Sequence, residues 1–463
     1  MAPSHSLKVL EHFQISPSPS SAASTNSLAL SCLDIPWLLC DPSQRLFFYD
    51  FPHPTLHFMN NILPSLKTSL SLTLHHFFPL AATLISPRLP HKPYIVVSEG
   101  DSVPFAVAES KLDFNELIGD HVKDVRELHP FVPKLSAARE TTYGTCLGPL
   151  LALQITVFPN SGLCIGIQFN HVAADGVSIN HFMKFWASVF RAGGDMSHLE
   201  TSLPSHDRTV IKDPCQLESI YLKHVNDIWM SSSNQNLSSN DEPVLLDKVR
   251  ATFVIGQQCI QRLKDWVTSR CKDRNNQAQQ HFSTFAVTCA ILWVNLGKLQ
   301  QNGLDNDKMC YFYFLANCRN RLETNVPANY FGNCLAICQA ALKKRELLGE
   351  NGVAIAASAI GNKIKELEKG ALLGAENWLS TYTKVVKEDN PITVAGSPKL
   401  RVYDTDFGWG RPKKSEVVHI DVSGSISLSE SRDGGGGIEV GLALTRTEME
   451  VFAAVFEQHL KQF

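Results

Sequence analysis

The spacing of apolar residues along the chain predicts alternating helices and strands. After Pro64, four apolar side chains recur at intervals of four, four and three, which places them on one helix face: Leu66, Leu70, Leu74 and Phe77. Leu151–Phe158 alternates apolar with polar residues, a pattern typical of a strand. A turn at 159–162 then predicts a hairpin with a second strand at 163–169. The next helix should bury Val177, Phe182, Phe185, Trp186 and Val189.

The second half of the chain repeats this mixture of elements. Residues 249–254 predict a strand, residues 282–296 a strongly apolar helix, and residues 424–444 two strands around a glycine run. The last helix begins with a capping box, Thr445 and Glu448. The polar segment 231–243 (SSSNQNLSSNDEP) reads as a linker. We therefore expect an α/β fold with an N-terminal domain at 1–230, a crossover linker at 231–245 and a similar C-terminal domain at 246–463.

Composition excludes several classes of function. The 463 residues include 42 basic and 45 acidic side chains, a net charge of -3, so no basic excess attracts nucleic acid or an anionic membrane. The N-terminus lacks the pattern of a secretory signal, and no apolar run approaches the ~18 residues of a membrane span. The twelve cysteines are scattered without metal-ligand spacing. We expect a cytoplasmic protein with reduced cysteines, no metal and no nucleic-acid partner.

The segment 170–176 (NHVAADG) contains the first candidate for chemistry. His171 follows the predicted strand, and Asp175 stands four residues later. An unperturbed imidazole titrates at about pH 6.5, so it can take the proton that an alcohol loses as it attacks. A buried structural histidine followed by a helix-capping aspartate would have the same spacing, and the spacing alone does not separate the two interpretations.

The segment 404–412 (DTDFGWGRP) contains the second candidate. Gly408 and Gly410 flank Trp409 and permit a tight loop. Asp406 can brace that loop by accepting backbone N–H groups. The indole N–H of Trp409 is a candidate donor to an oxyanion. An ordinary turn with a packed tryptophan is the alternative interpretation.

Together, HxxxD in the first half and DFGWG late in the second resemble the BAHD family of plant acyl-CoA-dependent acyltransferases, and the resemblance covers essentially the whole chain. It extends to the FFPL sequence at 77–80, to Asp207-Arg208 and to the STF sequence at 283–285. Residues 330–334 (YFGNC) are similar to the branch that acylates flavonoid, anthocyanin and other phenolic glucosides, often with malonyl-CoA. Arg411 departs from the family pattern, in which lysine is more usual.

The resemblance implies two chloramphenicol-acetyltransferase-like domains with mixed β-sheets and a solvent channel between them. At their interface His171 would remove the proton of the acceptor hydroxyl, and coenzyme A would leave without an acyl-enzyme. The resemblance also implies an ion pair between Asp175 and Arg319 that holds the His171 loop. Some descriptions of the family count Asp406 as catalytic beside His171, whereas we expect it to support the loop at 407–410.

The resemblance further implies the ligands. Ser283 and Thr284 are similar to residues that contact coenzyme A in related malonyltransferases, although capping of the following helix explains them equally well. Acyl-CoA would be a co-substrate, with no cofactor. We expect a monomer that moves a malonyl group to the glucose 6-hydroxyl of a phenolic or flavonoid glucoside. The alternatives are a hydroxycinnamoyl-CoA-dependent O- or N-acyltransferase and a catalytically silent member that acts as a binding protein.

Other enzyme classes lack their motifs. The chain has no HExxH for a zinc hydrolase, no GK[ST] after its glycine run for a phosphate loop, and no GxSxG elbow for a serine hydrolase. Cys164 lies an odd number of positions from His171 along one strand, so the two side chains should point to opposite faces. A thiol nucleophile acting with His171 is therefore not expected.

Overall fold

Strands from both halves of the chain build three β-sheets in the described part of the computed structural model, which comprises residues 7–18, 26–142, 144–233, 245–275, 281–299 and 305–463. The strands are β1 (Leu7–Ile15), β2 (Asn26–Ala29), β3 (Ser43–Asp50), β4 (Thr83–Ser86), β5 (Tyr94–Val97), β6 (Val103–Ser110), β7 (Lys123–Asp124), β8 (Arg139–Glu140), β9 (Cys146–Pro149), β10 (Leu151–Phe158), β11 (Gly162–Phe169), β12 (Lys248–Ile255), β13 (Met309–Asn317), β14 (Leu335–Lys343), β15 (Ile392–Ala395), β16 (Lys414–Val417), β17 (Ile426–Glu430) and β18 (Ile438–Thr445).

Each half of the chain contributes one strand to the sheet of the other half. The first sheet has the order β1-β6-β10-β11-β3-β16, so β16 from the second half pairs antiparallel with β3. The second sheet has the order β14-β13-β15-β17-β18-β12-β7, with β7 from the first half beside β12. The buried guanidinium of Arg250 on β12 pairs with Glu416 of β16 at 2.7 Å. The third sheet, β2-β5-β4-β9-β8, comes from the first half alone.

The hairpin of β10 and β11 forms as predicted and leads directly to His171. Although its sequence alternates, all eight residues of β10 are buried, because the turn at His129–Phe131 covers the face that carries its polar side chains. Gln154 on that face donates from Nε2 to the Pro130 carbonyl at 2.9 Å. The Phe131 carbonyl comes so close to Gly166 that a Cβ atom there would collide with it.

The helices that the sequence predicts are present, together with others that it did not predict. They are α1 (Thr55–His57), α2 (Leu63–His76), α3 (Phe114–Ile118), α4 (Gly176–Arg191), α5 (Leu217–Ser233), α6 (Gln257–Asn275), α7 (Thr284–Leu299), α8 (Lys344–Leu347), α9 (Gly352–Glu366), α10 (Trp378–Asp389), α11 (Ile420–Ser423) and α12 (Arg446–Leu460). The buried face predicted for α2 is confirmed. In α4 the predicted face is buried except at Val177, which is half-buried. The capping box predicted for α12 is present.

The two largest hydrophobic cores do not divide the chain at the midpoint of the sequence. Residues of the second half pack into the core of the first half, among them Cys318, Tyr330, Phe331, Tyr403 and Phe407. Residues 234–244 of the predicted linker lie outside the described residues, while 231–233 complete the last turn of α5. The domain limits therefore stay a prediction. Within the described ranges, every helix is too short or too polar to cross a bilayer.

Candidate active site

His171 stands in a short turn between β11 and α4. At the start of this turn, Asn170 Oδ1 accepts a hydrogen bond from the Val172 amide at 3.0 Å. At its end, Asp175 is the N-cap of α4 and accepts the Ser178 amide at 2.9 Å. Side chains therefore hold both ends of the turn, and the imidazole stands on a rigid support.

Asn333 determines which nitrogen of His171 carries the proton. Its Nδ2 donates to Asp34 Oδ1 at 2.9 Å and to the carbonyl oxygens of His171 and Val172 at 2.9 and 3.1 Å. Because these three oxygens can only accept, the amide nitrogen must face them, and Asn333 Oδ1 must face His171 Nδ1, at 3.1 Å. The Nδ1–H group is therefore the donor, and Nε2 keeps a free lone pair.

The surroundings of His171 keep the imidazole neutral. Burial lowers its pKa below the ordinary value of 6.5, and the Asp175 carboxylate and the Asn333 hydrogen bond oppose that shift only in part. One face of the ring is stacked on Trp37, with 3.9 Å between centroids and 24° between planes. Phe169 lies at 6.0 Å. A neutral ring at pH 7 is the protonation state that a general base needs.

A buried ion pair behind Asn333 fixes its amide. Asp34 Oδ1 also accepts the Asn333 backbone N–H at 3.0 Å, and Asp34 Oδ2 accepts the Ser31 hydroxyl at 2.7 Å. Arg208 Nε lies 3.0 Å from Asp34 Oδ2. Gly332 permits this arrangement, because a Cβ atom there would collide with the Arg208 guanidinium.

Asp175 and Arg319 form the ion pair that the sequence resemblance implies. Arg319 Nη1 and Nη2 donate to Asp175 Oδ2 and Oδ1 at 2.7 and 3.0 Å, and the two side chains are only 6% and 0% exposed. Asp175 also accepts the Cys334 amide at 3.1 Å. Burial alone would raise the pKa of Asp175, but Arg319 and these hydrogen bonds hold it below its ordinary value. With the Ser178 amide, four donors occupy the carboxylate, so it is not free to carry a proton.

The DFGWG loop has its own internal brace. Asp406 Oδ1 accepts the amides of Gly408 and Gly410 at 2.7 and 3.0 Å. Both glycines have positive φ, 96° and 87°, which other residues rarely adopt. Arg191 Nη1 lies 3.8 Å from Asp406 Oδ2. These contacts are those of a structural residue, and a catalytic role for Asp406 stays a prediction.

Trp409 packs near the end of β3 that lies away from His171. Its indole ring is 5.7 Å from the ring of Tyr49. His171 comes two residues after Phe169, which pairs with Ser43 at the other end of β3. At about 3.3 Å per residue, Ser43 and Tyr49 are about 20 Å apart. A hydrogen bond from the indole to an oxyanion beside His171 is therefore not compatible with this geometry, and Trp409 supports the loop by packing.

Ser283 and Thr284 stand at the start of α7, where Ser283 is exposed and Thr284 is half-buried. Ser283 Oγ accepts the Ala286 amide at 3.1 Å, which is the helix-capping interpretation of this residue. Thr284 is the first residue of the helix. Contact of either residue with coenzyme A stays a prediction.

The sequence assigned no role to Asn333, Asp34, Arg208 or Trp37. For Asn333 the only signal is its place in the YFGNC segment, which carries the resemblance to the branch that acylates phenolic glucosides. Asp34 and Trp37 lie before the first predicted helix, so no local spacing connects them with His171. Only the folded chain brings these residues together.

The fold is shared with vinorine synthase, a solved structure, with a TM-score of 0.68, at 19% identity and with 96% of each chain covered. The chain matches the model of the Transferase family over residues 8–459, and it belongs to that family, the BAHD acyltransferases.

Relatives from several plants match nearly the full length of the chain. It is 40% identical over 471 residues to coumaroyl-CoA:anthocyanidin 3-O-glucoside-6''-O-coumaroyltransferase 1 of Arabidopsis thaliana, with 98% of each covered. It is 37% identical over 471 residues to malonyl-coenzyme A:anthocyanin 3-O-glucoside-6''-O-malonyltransferase of Dahlia pinnata, again with 98% of each covered.

Proposed function

We propose that this chain transfers an acyl group from acyl-CoA to a hydroxyl of a phenolic or flavonoid glucoside, at the glucose 6-position, with His171 as general base. The observation that carries the proposal is the free Nε2 of a neutral imidazole that Asn333 holds in one tautomer. The names of the two relatives, which both specify a 6''-position of a glucoside, support the acceptor. The proposal includes a monomer that works in the cytoplasm.

The proposed reaction needs no covalent enzyme intermediate. The acceptor hydroxyl gives its proton to Nε2 of His171 as its oxygen bonds to the thioester carbonyl carbon. In the tetrahedral intermediate that results, the carbonyl oxygen carries the negative charge. When the carbon–sulfur bond breaks, the ester forms, and coenzyme A leaves as a thiol with the proton that His171 returns. Because His171 returns this proton, it ends the cycle neutral. Acyl-CoA is consumed as a co-substrate.

Two donors are candidates. The YFGNC segment supports malonyl-CoA, whose carboxylate needs a cationic partner. However, the two arginines of the network around His171 are each paired with an aspartate, Arg208 with Asp34 and Arg319 with Asp175. The side chains that pack beside the imidazole, Trp37 and Phe169, are aromatic and uncharged, and Trp37 is in direct contact. This observation favours hydroxycinnamoyl-CoA as the second candidate donor.

Release of free thiol tests the reaction. Malonyl-CoA and p-coumaroyl-CoA are each supplied with a phenolic glucoside, a flavonoid glucoside or an amine, and the products are identified by mass. We expect acceptor-dependent thiol release that falls by at least about 100-fold in His171→Ala, because general-base catalysis typically contributes 10²–10⁴. A His171→Ala variant within tenfold of the wild type would exclude the base. Absence of turnover with every pair would favour the silent binding protein, and acylation of the amine alone would favour an N-acyltransferase.

A further inference from the structure

The indole of Trp37 lies face to face with the imidazole of His171. The ring centroids are 3.9 Å apart and the planes differ by 24°, so the contact covers most of one imidazole face. Trp37 Nε1 donates to the Leu33 carbonyl at 3.0 Å, which fixes the indole in its plane. Trp37 belongs to the 3-10 helix Ile35–Leu39, and the start of this helix is buried at Ile35 and Pro36. The stack is therefore a fixed part of the site.

An indole face is electron-rich and attracts a cation, more strongly than the face of phenylalanine or tyrosine. A neutral imidazole gains little from this quadrupole, whereas an imidazolium gains substantially. At pH 7 the neutral His171 becomes an imidazolium when it takes the acceptor proton. A rigid aromatic face at stacking distance therefore stabilises the state that proton transfer creates, and a group that does so accelerates the step.

We infer that Trp37 acts as the cation–π partner of His171 and stabilises the imidazolium during acyl transfer. The inference rests on the proposed function, because it assigns His171 the proton. Trp37 acts through the histidine rather than on the substrate, so it is a positioning residue. Its contribution is electrostatic, and it adds to the tautomer control that Asn333 provides from the edge of the ring.

The other charged groups around His171 do not provide this stabilisation in full. Asp34 and Asp175 both act on the ring electrostatically, but each is paired with an arginine that offsets its charge. His419 faces the site from the turn before α11, and as a cation it would oppose the imidazolium. Among the described residues, the contact directly on the ring face is that of Trp37. None of these residues is substituted in the variants below.

The pH dependence of kcat/KM separates this role from a steric one. Without the indole, the imidazolium is less stable, so the apparent pKa of His171 falls and the acid limb of the profile moves to lower pH. We expect a shift of about 0.5 to 1 unit in Trp37→Leu and a smaller shift in Trp37→Phe. If the transition state carries the full imidazolium charge, the plateau of kcat/KM should fall by about threefold to tenfold. Trp266→Leu, which changes a half-buried tryptophan that packs against the C-terminal core, is the control and should leave the acid limb unchanged.

A series of fluorinated tryptophans keeps the shape of the stack and covers the case in which Trp37→Leu fails to fold. Fluorine withdraws electron density from the ring face. At position 37, 5-fluorotryptophan should therefore lower the apparent pKa of His171, and 5,7-difluorotryptophan should lower it further. An apparent pKa that stays constant across the series would overturn the inference. A plateau loss or a rise in KM with a fixed acid limb would also overturn it, in favour of steric support or substrate contact. Full activity of His171→Ala would instead refute the proposed function itself.

Discussion

Replacement of Asp175 by alanine should lower the free energy of unfolding and displace the turn that carries His171. In the wild type the carboxylate accepts two hydrogen bonds from Arg319, one from the Ser178 amide and one from the Cys334 amide. Asp175→Ala removes all four and leaves the Arg319 guanidinium buried without its counter-charge. The same change removes the N-cap of α4.

The magnitude follows from the burial of the pair. Removal of one partner of a buried ion pair costs about 3–5 kcal/mol, because the remaining charge stays in a medium that solvates it poorly. Loss of the cap adds about 1 kcal/mol. The free energy of unfolding of a domain is typically about 5–15 kcal/mol, so Asp175→Ala should lose a large share of it. The double variant Asp175→Leu/Arg319→Met should recover part of it, since apolar residues can replace such a pair.

Urea unfolding and kcat/KM on the same preparations measure both consequences. Glu457→Ala is the matched control, because Glu457 pairs with Lys461 on the exposed surface and its loss should leave the unfolding midpoint unchanged. If Asp175→Ala lowered the free energy of unfolding by less than about 1 kcal/mol and kept a normal kcat/KM, the reasoning from burial would be refuted. An inactive variant with unchanged stability would instead assign Asp175 a part in the chemistry.

The pH dependence of the stability difference between the wild type and Asp175→Asn gives a further check. The pKa of Asp175 is lowered in the folded state, so its contribution is present above the unfolded pKa of about 3.9 and is lost as the pH falls through the lower folded value. The stability gap between the wild type and Asp175→Asn should therefore narrow below about pH 4. A gap that widens in acid would contradict this sign.

Three other outcomes are expected. The acid limb of kcat/KM should lie below pH 6.5, since burial lowers the pKa of His171 and only the neutral ring accepts a proton; a limb above 6.5 in steady-state profiles would contradict this. Asn333→Ala should lower kcat about tenfold to 100-fold by freeing the imidazole; unchanged kcat would show that the tautomer is set elsewhere. Asp406→Ala should lower the free energy of unfolding by about 1–3 kcal/mol through its two amide hydrogen bonds; a large loss of kcat in Asp406→Asn at normal stability would mark it as catalytic instead.

The elements of the fold could be predicted where one local pattern determined them. The face of α2, the hairpin before His171 and the capping box of α12 each depend on residues within a few positions of one another. The burial of both faces of β10 could not be predicted, because the segment that covers its second face comes from an earlier part of the chain.

The site shows the same division. His171 stood out because its motif is short and local, and Arg319 was assigned by the family resemblance. Asn333, Asp34 and Trp37 act on the histidine from segments that are distant in sequence, and single-sequence patterns contain no signal for such contacts. Trp409 shows the reverse case, since its chemistry suggested an oxyanion donor and its packing near Tyr49 places it far from the imidazole.

The exchange of edge strands between the two sheets delays the completion of the first sheet during synthesis. β3 is made early, but its partner β16 lies near the end of the chain. At about 5–20 residues per second, the hydrogen-bonding edge of β3 waits tens of seconds for that partner. An unpaired edge is a template for intermolecular pairing. Fragments that contain β3 but end before residue 414 should therefore aggregate rather than form a free-standing N-terminal half. If the gene is split at its midpoint, both pieces should have to be expressed in the same cell.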